Sequence, residues 1–223
     1  MSQTLHQPAT SLAQPARLLL AALIPLVVFM ATAHLTVVGD SAGEMTAAQV
    51  DERALPWIAV AVLWMLPAAM AGVAFKAIAA WLGRGGPVKP LATVGIALLV
   101  TYVAAQAGVV WLDDAEVLAE SSLLALAILL SLLGWWAIDL AAVLICLRLF
   151  KSKVAPRTAL VVGILTALFL VLEIAVYLPA LIGGQELHAT VGLPPMALPV
   201  LWAVLGGVLW RGLRRPGSRP LAR

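Results

Sequence analysis

Residues 157–182, RTALVVGILTALFLVLEIAVYLPALI, decide the class of this protein. The run is apolar for longer than a soluble core helix requires, and about 20 such residues as a helix cross the roughly 30 Å of hydrocarbon in a bilayer. Its one interior charge is Glu173. An ionisable group in such a segment is expensive and normally faces other helices or a cavity, so Glu173 is the first functional candidate.

The rest of the chain has the same character. Of 223 residues, 63% are hydrophobic and 11% charged, against roughly 25% charged in a soluble domain. Comparable apolar runs occupy residues 17–38, 56–82, 90–112, 121–150 and 194–213. Only helices or closed barrels satisfy the backbone in lipid, so the pattern predicts an all-α polytopic membrane protein, a bundle of six transmembrane helices. Residues 31–33, Ala-Thr-Ala, resemble a signal-peptide cleavage site, but the apolar run continues to Val38 and is read as the first span. Residues 1–16 are expected to be a flexible cytoplasmic N-terminus and residues 214–223 a basic cytoplasmic tail.

The connections alternate in charge. Residues 39–55 and 113–120 are acidic, and Thr46 to Gln49 has the form of a capping box that starts a short surface helix. Residues 83–87 and 151–153 are short and basic. Arg17, Arg84, Lys89, Arg148, Lys151, Lys153, Arg157 and the arginines from Arg211 onward all fall on one side of a six-span topology, with Arg53 the exception among loop charges. Lys and Arg accumulate in cytoplasmic loops, which predicts a multi-pass protein of the plasma (inner) membrane with both termini in the cytoplasm.

A weak internal repeat accompanies the topology. Each outward-going span has a proline near its start (Pro15, Pro90, Pro156) and, 16 to 19 residues later, one strongly polar residue: His34, Gln106 or Glu173. Rises of roughly 24–28 Å would put these three near the outer face as one polar cluster. Tyr102 and Tyr177 would join it, each lying four residues from a member on the same helical face. Such a cluster can relay protons or bind a cation or polar solute; equally, each residue can serve only an interhelical hydrogen bond. Asp139 and Lys76 form a second candidate group, an inner-half ion pair at depths of roughly 12–14 Å from Arg148 and Arg84. Lys76 alone can snorkel to the surface; Asp139 is too short to do so.

Other features carry less. Trp135 and Trp136 lie mid-span and read as packing or a cavity wall. Trp57, Trp81, Trp111 and Trp210 lie where interfacial aromatics belong. Pro25, Pro67 and Pro199 interrupt helices, and Ala203 with Gly207 has small-xxx-small spacing. Gly39-Asp40-Ser41-Ala42-Gly43 matches a hydrolase nucleophile elbow in letters, but that chemistry needs a strand-to-helix turn above a sheet. Cys146 is the single cysteine, so no internal disulfide forms. No metal-ligand spacing or cofactor motif is present, and His6, His34 and His188 are not arranged as haem ligands by any local motif. No cofactor or metal is expected, nucleic-acid binding has no support, and no nucleophile–base pair argues for an enzyme. The expected partners are the bilayer and either a membrane subunit or further copies of the chain. Two functions fit: a transport-related protein, either a small permease or the membrane subunit of one, built around Glu173; or a non-catalytic accessory or scaffold subunit of a larger membrane complex.

Overall fold

Backbone N–H and C=O groups have no water to bond in a bilayer core and must pair within their own segment. A computed structural model of the protein shows the apolar runs doing this as helices; it describes residues 12–36, 54–83, 86–112, 122–183 and 193–213. The helices are α1 (Ala13–Ala21), α2 (Leu23–Thr36), α3 (Ala54–Trp81), α4 (Val88–Leu112), α5 (Ser122–Lys151), α6 (Pro156–Gly183) and α7 (Leu193–Leu213). α1 and α2 together make the first span. Five spans are long and apolar enough to cross a membrane, and the apolar part of α7, Ala197–Leu213, is a shorter sixth. Among the described residues the protein is all-helical, a multi-pass integral membrane protein built as a bundle of six apolar spans. Residues 13–16, expected as the end of a flexible N-terminus, instead form the first turn of α1, with Pro15 and Ala16 buried. Residues 1–11, the acidic connections at 39–53 and 113–120, the capping box at Thr46 and the basic tail lie outside the described residues.

Local chemistry sets the helix ends. The first span is interrupted at Ala22, three residues before Pro25, which lacks the N–H that would bond the Ala21 carbonyl. Pro67 and Pro199, by contrast, sit inside continuous helices. α3 ends at Gly83, whose φ of 71° is the left-handed conformation glycine accepts without strain. Between α5 and α6 the chain reverses within four residues. Lys153 adopts a φ of 57°, its N–H bonds the Phe150 carbonyl, and the Val154 N–H bonds the Leu149 carbonyl, both at 3.0 Å. That is a Schellman arrangement, and it fixes the register of the α5–α6 hairpin.

α3 is the hub, touching α1, α2, α4, α5 and α7; α4 packs mainly on α5, and α6 lies on α5 and α7. Glycines mark the closest approaches. A Cβ on Gly95 would sit 2.7 Å from Ile138 and 3.0 Å from the Gly134 carbonyl, so α4 and α5 meet backbone to backbone, as small residues permit. On α7 it is Gly206 that meets α1, its Cβ position lying 2.7 Å from the Ala16 carbonyl oxygen. The Ala203/Gly207 pair is one position off this contact. An aromatic column fills the centre: Phe29, Trp64, Trp135 and Trp202 follow one another at centroid distances of 4.9, 5.7 and 6.2 Å. Phe75 closes edge-on against Trp202 at 5.6 Å.

Candidate intramembrane carboxyl site

α6 buries one narrow face, through Ala159, Val162, Gly163, Thr166, Glu173 and Tyr177, and shows aliphatic side chains elsewhere. Residues seven apart return to the same face of a helix, which aligns Thr166 with Glu173 and Ala159. On α5 the same rule aligns Asp139 with Cys146. Cys146 lies directly against Gly163, where a Cβ would be 2.9 Å from the Cys146 Cβ. Ten residues further from the turn on each helix stand Trp136 and Glu173, which the antiparallel register therefore brings level. Asp139 is three residues from Trp136, an axial offset of about 4.5 Å.

The side chains confirm this geometry. The Glu173 carboxyl interacts electrostatically with that of Asp139 and with the Tyr177 hydroxyl. The Trp136 indole approaches Glu173 without closing a hydrogen bond. Asp139 and Thr166 are 0% exposed and Glu173 is 1% exposed, so water does not solvate them. Both Asp139 oxygens, Glu173 Oε1 and Thr166 Oγ1 have no hydrogen-bond partner, nor do the indole N–H groups of Trp135, Trp136 and Trp202. Thr166 stands apart from Thr32, Thr93 and Thr101, whose hydroxyls donate to the carbonyl four residues back at 2.8 to 2.9 Å. Its hydroxyl is not consumed by its own helix.

Two expectations are corrected. Asp139 and Lys76 do not form an ion pair: both Asp139 oxygens lack a partner. α3 and α5 do touch, but Lys76 is a half-buried residue on the flank of α3 next to the exposed Val73 and Ala80, while Asp139 points along the α5 face that meets α6. Gln106, likewise, is not beside Glu173. It is buried on α4 and pairs with Tyr102 one turn away. α4 packs on the opposite flank of α5, with Leu99 seated on Gly134, so Gln106 lies roughly 15 Å along the bundle axis from the level of Glu173. His34 is in α2, but its side chain is outside the described residues. The candidates thus separate into a Tyr102–Gln106 pair and an Asp139–Glu173–Tyr177 group. Trp136 joins the second group, and Thr166 is buried two turns from Glu173 on the same face of α6; the proline-to-polar spacing picks out neither, though the seven-residue step from Glu173 back to Thr166 would have found the latter.

Two carboxylates cannot stay ionised together in hydrocarbon without compensation. No third His, Cys, Asp or Glu converges on them among the described residues, and Lys76 does not reach them. The charge balance requires bound protons or a cation, and oxygen donors of this kind suit a hard cation. Two lipid-side grooves exist, between α1 and α7 and between α5 and α6 on the turn side of Asp139; neither touches either carboxyl. Toward the turn, the Cys146–Gly163 contact seals the seam. In comparisons with known proteins, no family model, curated protein or solved structure matches this chain.

Proposed function

We propose that the protein is transport-related, a small permease or the membrane subunit of a transporter, that binds a proton or a small cation between Asp139 and Glu173. The observation that carries this reading is the pair itself: two buried carboxyls on facing helices, level with the middle of α5, with no base beside them and with both Asp139 oxygens and Glu173 Oε1 lacking a hydrogen-bond partner. Groups retained only as interhelical glue would be expected to bond each other; these do not. The excess of Lys and Arg at the α3–α4 and α5–α6 turns supports a cytoplasmic placement of that side and of both termini.

The test is flux in sealed vesicles containing the purified full chain, driven by a proton gradient and, separately, by a sodium gradient. Glu173→Gln and Asp139→Asn keep shape and remove charge. A cation about 4 Å from a carboxylate is held by about 4 kcal/mol at an effective dielectric of about 20, so each substitution is expected to lower flux by up to a thousandfold while monodispersity is retained. Folded variants that keep flux within threefold of the parent protein would overturn the reading. A second reading, an accessory subunit, draws support from the near-complete burial of the pair, and predicts no flux in the parent protein together with a stoichiometric partner on mild detergent extraction.

A further inference from the structure

A second site lies on the other flank of the bundle and does not depend on the first. Where α1 and α7 diverge, an open groove of about 610 Å³ runs from Val200 to Arg211. At 1.5 Å per residue this is about 16 Å, one leaflet's share of a hydrocarbon core about 30 Å thick. Its walls are aliphatic, among them Leu20, Leu23, Val204 and Val208, and Val200 and Val204 are 46% and 51% exposed. The groove exists because Gly206 seats α7 on α1 while the neighbouring Gly207 carries no side chain. A Cβ there would meet only Leu20, at 3.7 Å.

The chemistry changes at one end. Trp210 and Arg211 close the groove, and the Arg17 guanidinium lies 4.7 Å over the Trp210 ring. Both arginines are exposed. No acidic residue occurs in residues 1–39, 77–112, 140–172 or 187–223, the segments that include this end of the bundle. Among the described residues, therefore, none supplies an anion for these guanidiniums. An aliphatic trough one leaflet long, capped by an indole and two uncompensated arginines, has the polarity of a phospholipid laid along it.

We propose that the α1–α7 groove binds an anionic phospholipid of the leaflet nearest the arginines, one acyl chain lying along Leu20, Leu23 and Val204 and the phosphate held by Arg17 and Arg211. A basic residue near the surface contributes about fivefold in affinity for anionic lipid, and two about thirtyfold. The experiment is native mass spectrometry of the full chain released from micelles carrying equal phosphatidylglycerol and phosphatidylcholine. The parent protein is expected to retain phosphatidylglycerol selectively. Arg211→Gln, an exposed change that spares the fold, is expected to weaken retention about fivefold, and Arg17→Gln with Arg211→Gln about thirtyfold. Gly207→Leu, which fills the trough, is expected to remove bound lipid of both kinds. Arg157→Gln, an exposed base on α6, is expected to change nothing. Equal retention of the two lipids, an equal loss with Arg157→Gln, or a second copy of the chain released in place of lipid by Gly207→Leu would each overturn the proposal.

Discussion

The α5–α6 seam turns on one contact, and its energetics can be tested through a reversal of sign. A methyl added by Gly163→Ala would lie 2.9 Å from Cys146 Cβ and 3.9 Å from its sulfur. Carbon atoms pack at about 3.5–4.0 Å, so the helices must part by roughly 0.5–1 Å. Both atoms are Cβ atoms held by their backbones, and no rotamer change relieves them. Overpacking of this kind costs about 1–3 kcal/mol, which for a chain of this size lowers the melting temperature by about 2–12 °C. The decisive comparison uses Cys146 as the second position of a cycle. Cys146→Ala keeps the offending Cβ, so Gly163→Ala remains harmful on that background. Cys146→Gly removes it, and there Gly163→Ala is expected to be neutral or to gain up to about 1 kcal/mol from helix propensity. Thermal unfolding in detergent, followed by circular dichroism and by loss of the monodisperse peak, measures all of these variants. Equal destabilisation by Gly163→Ala on every background would refute the reasoning, as would no effect in the parent protein, because the α5–α6 register would then not rest on this contact.

Two further outcomes follow from the packing. Lys76→Met is expected to leave stability within about 0.5 kcal/mol of the parent or to raise it, since breaking a true buried pair costs about 3–5 kcal/mol; denaturation of the single variant distinguishes the two. Trp202→Ala removes a fully buried ring that stacks on Trp135 and meets Phe75 edge-on. It is expected to cost about 3–5 kcal/mol, read as a lowered unfolding midpoint, and a loss below 1 kcal/mol would show that the aromatic column does not organise the centre.

The helices were legible because a bilayer permits so few solutions: an apolar run of the right length becomes a helix, and prolines and glycines mark where it starts, breaks and stops. The lateral order of the helices was not legible, since every span presents much the same aliphatic surface. Depth is ambiguous in the sequence for a related reason. Arg148, the marker nearest Asp139, lies a turn inside the end of α5 at Lys151, whereas Pro156, the marker for Glu173, is the first residue of α6. On those two scales the carboxyls stand roughly 12 Å apart in depth, most of a leaflet, whereas the Schellman turn and the Cys146–Gly163 contact bring them within about a turn. Gln106 failed in the opposite way. Its spacing from Pro90 mimics that of Glu173 from Pro156, but α4 faces the other flank of α5 with its own register, set by Leu99 on Gly134, so equal spacing from a proline gives neither a shared level nor a shared face.

How α6 is held bears on what the carboxyls are for. Lipid offers no hydrophobic drive between helices, so α6 must be retained by close packing and by polar bonds. The close packing is concentrated near the turn, where Ala159, Val162 and Gly163 are buried and the helix is tied to α5 by four residues of chain. Beyond Gly163 the buried face consists largely of Thr166, Glu173 and Tyr177. Had these been the glue for the far half, their hydrogen-bonding capacity would be spent on α5 and α7. Tyr177 is engaged, but Thr166 Oγ1, Glu173 Oε1 and both oxygens of Asp139 are not. The polar half of the seam is thus the half that keeps unspent hydrogen-bonding groups. A helix fixed at its turn, with unspent polar groups where its ionisable residues lie, fits the proposed site for protons or cations better than a purely structural seam, in which those groups would be bonded.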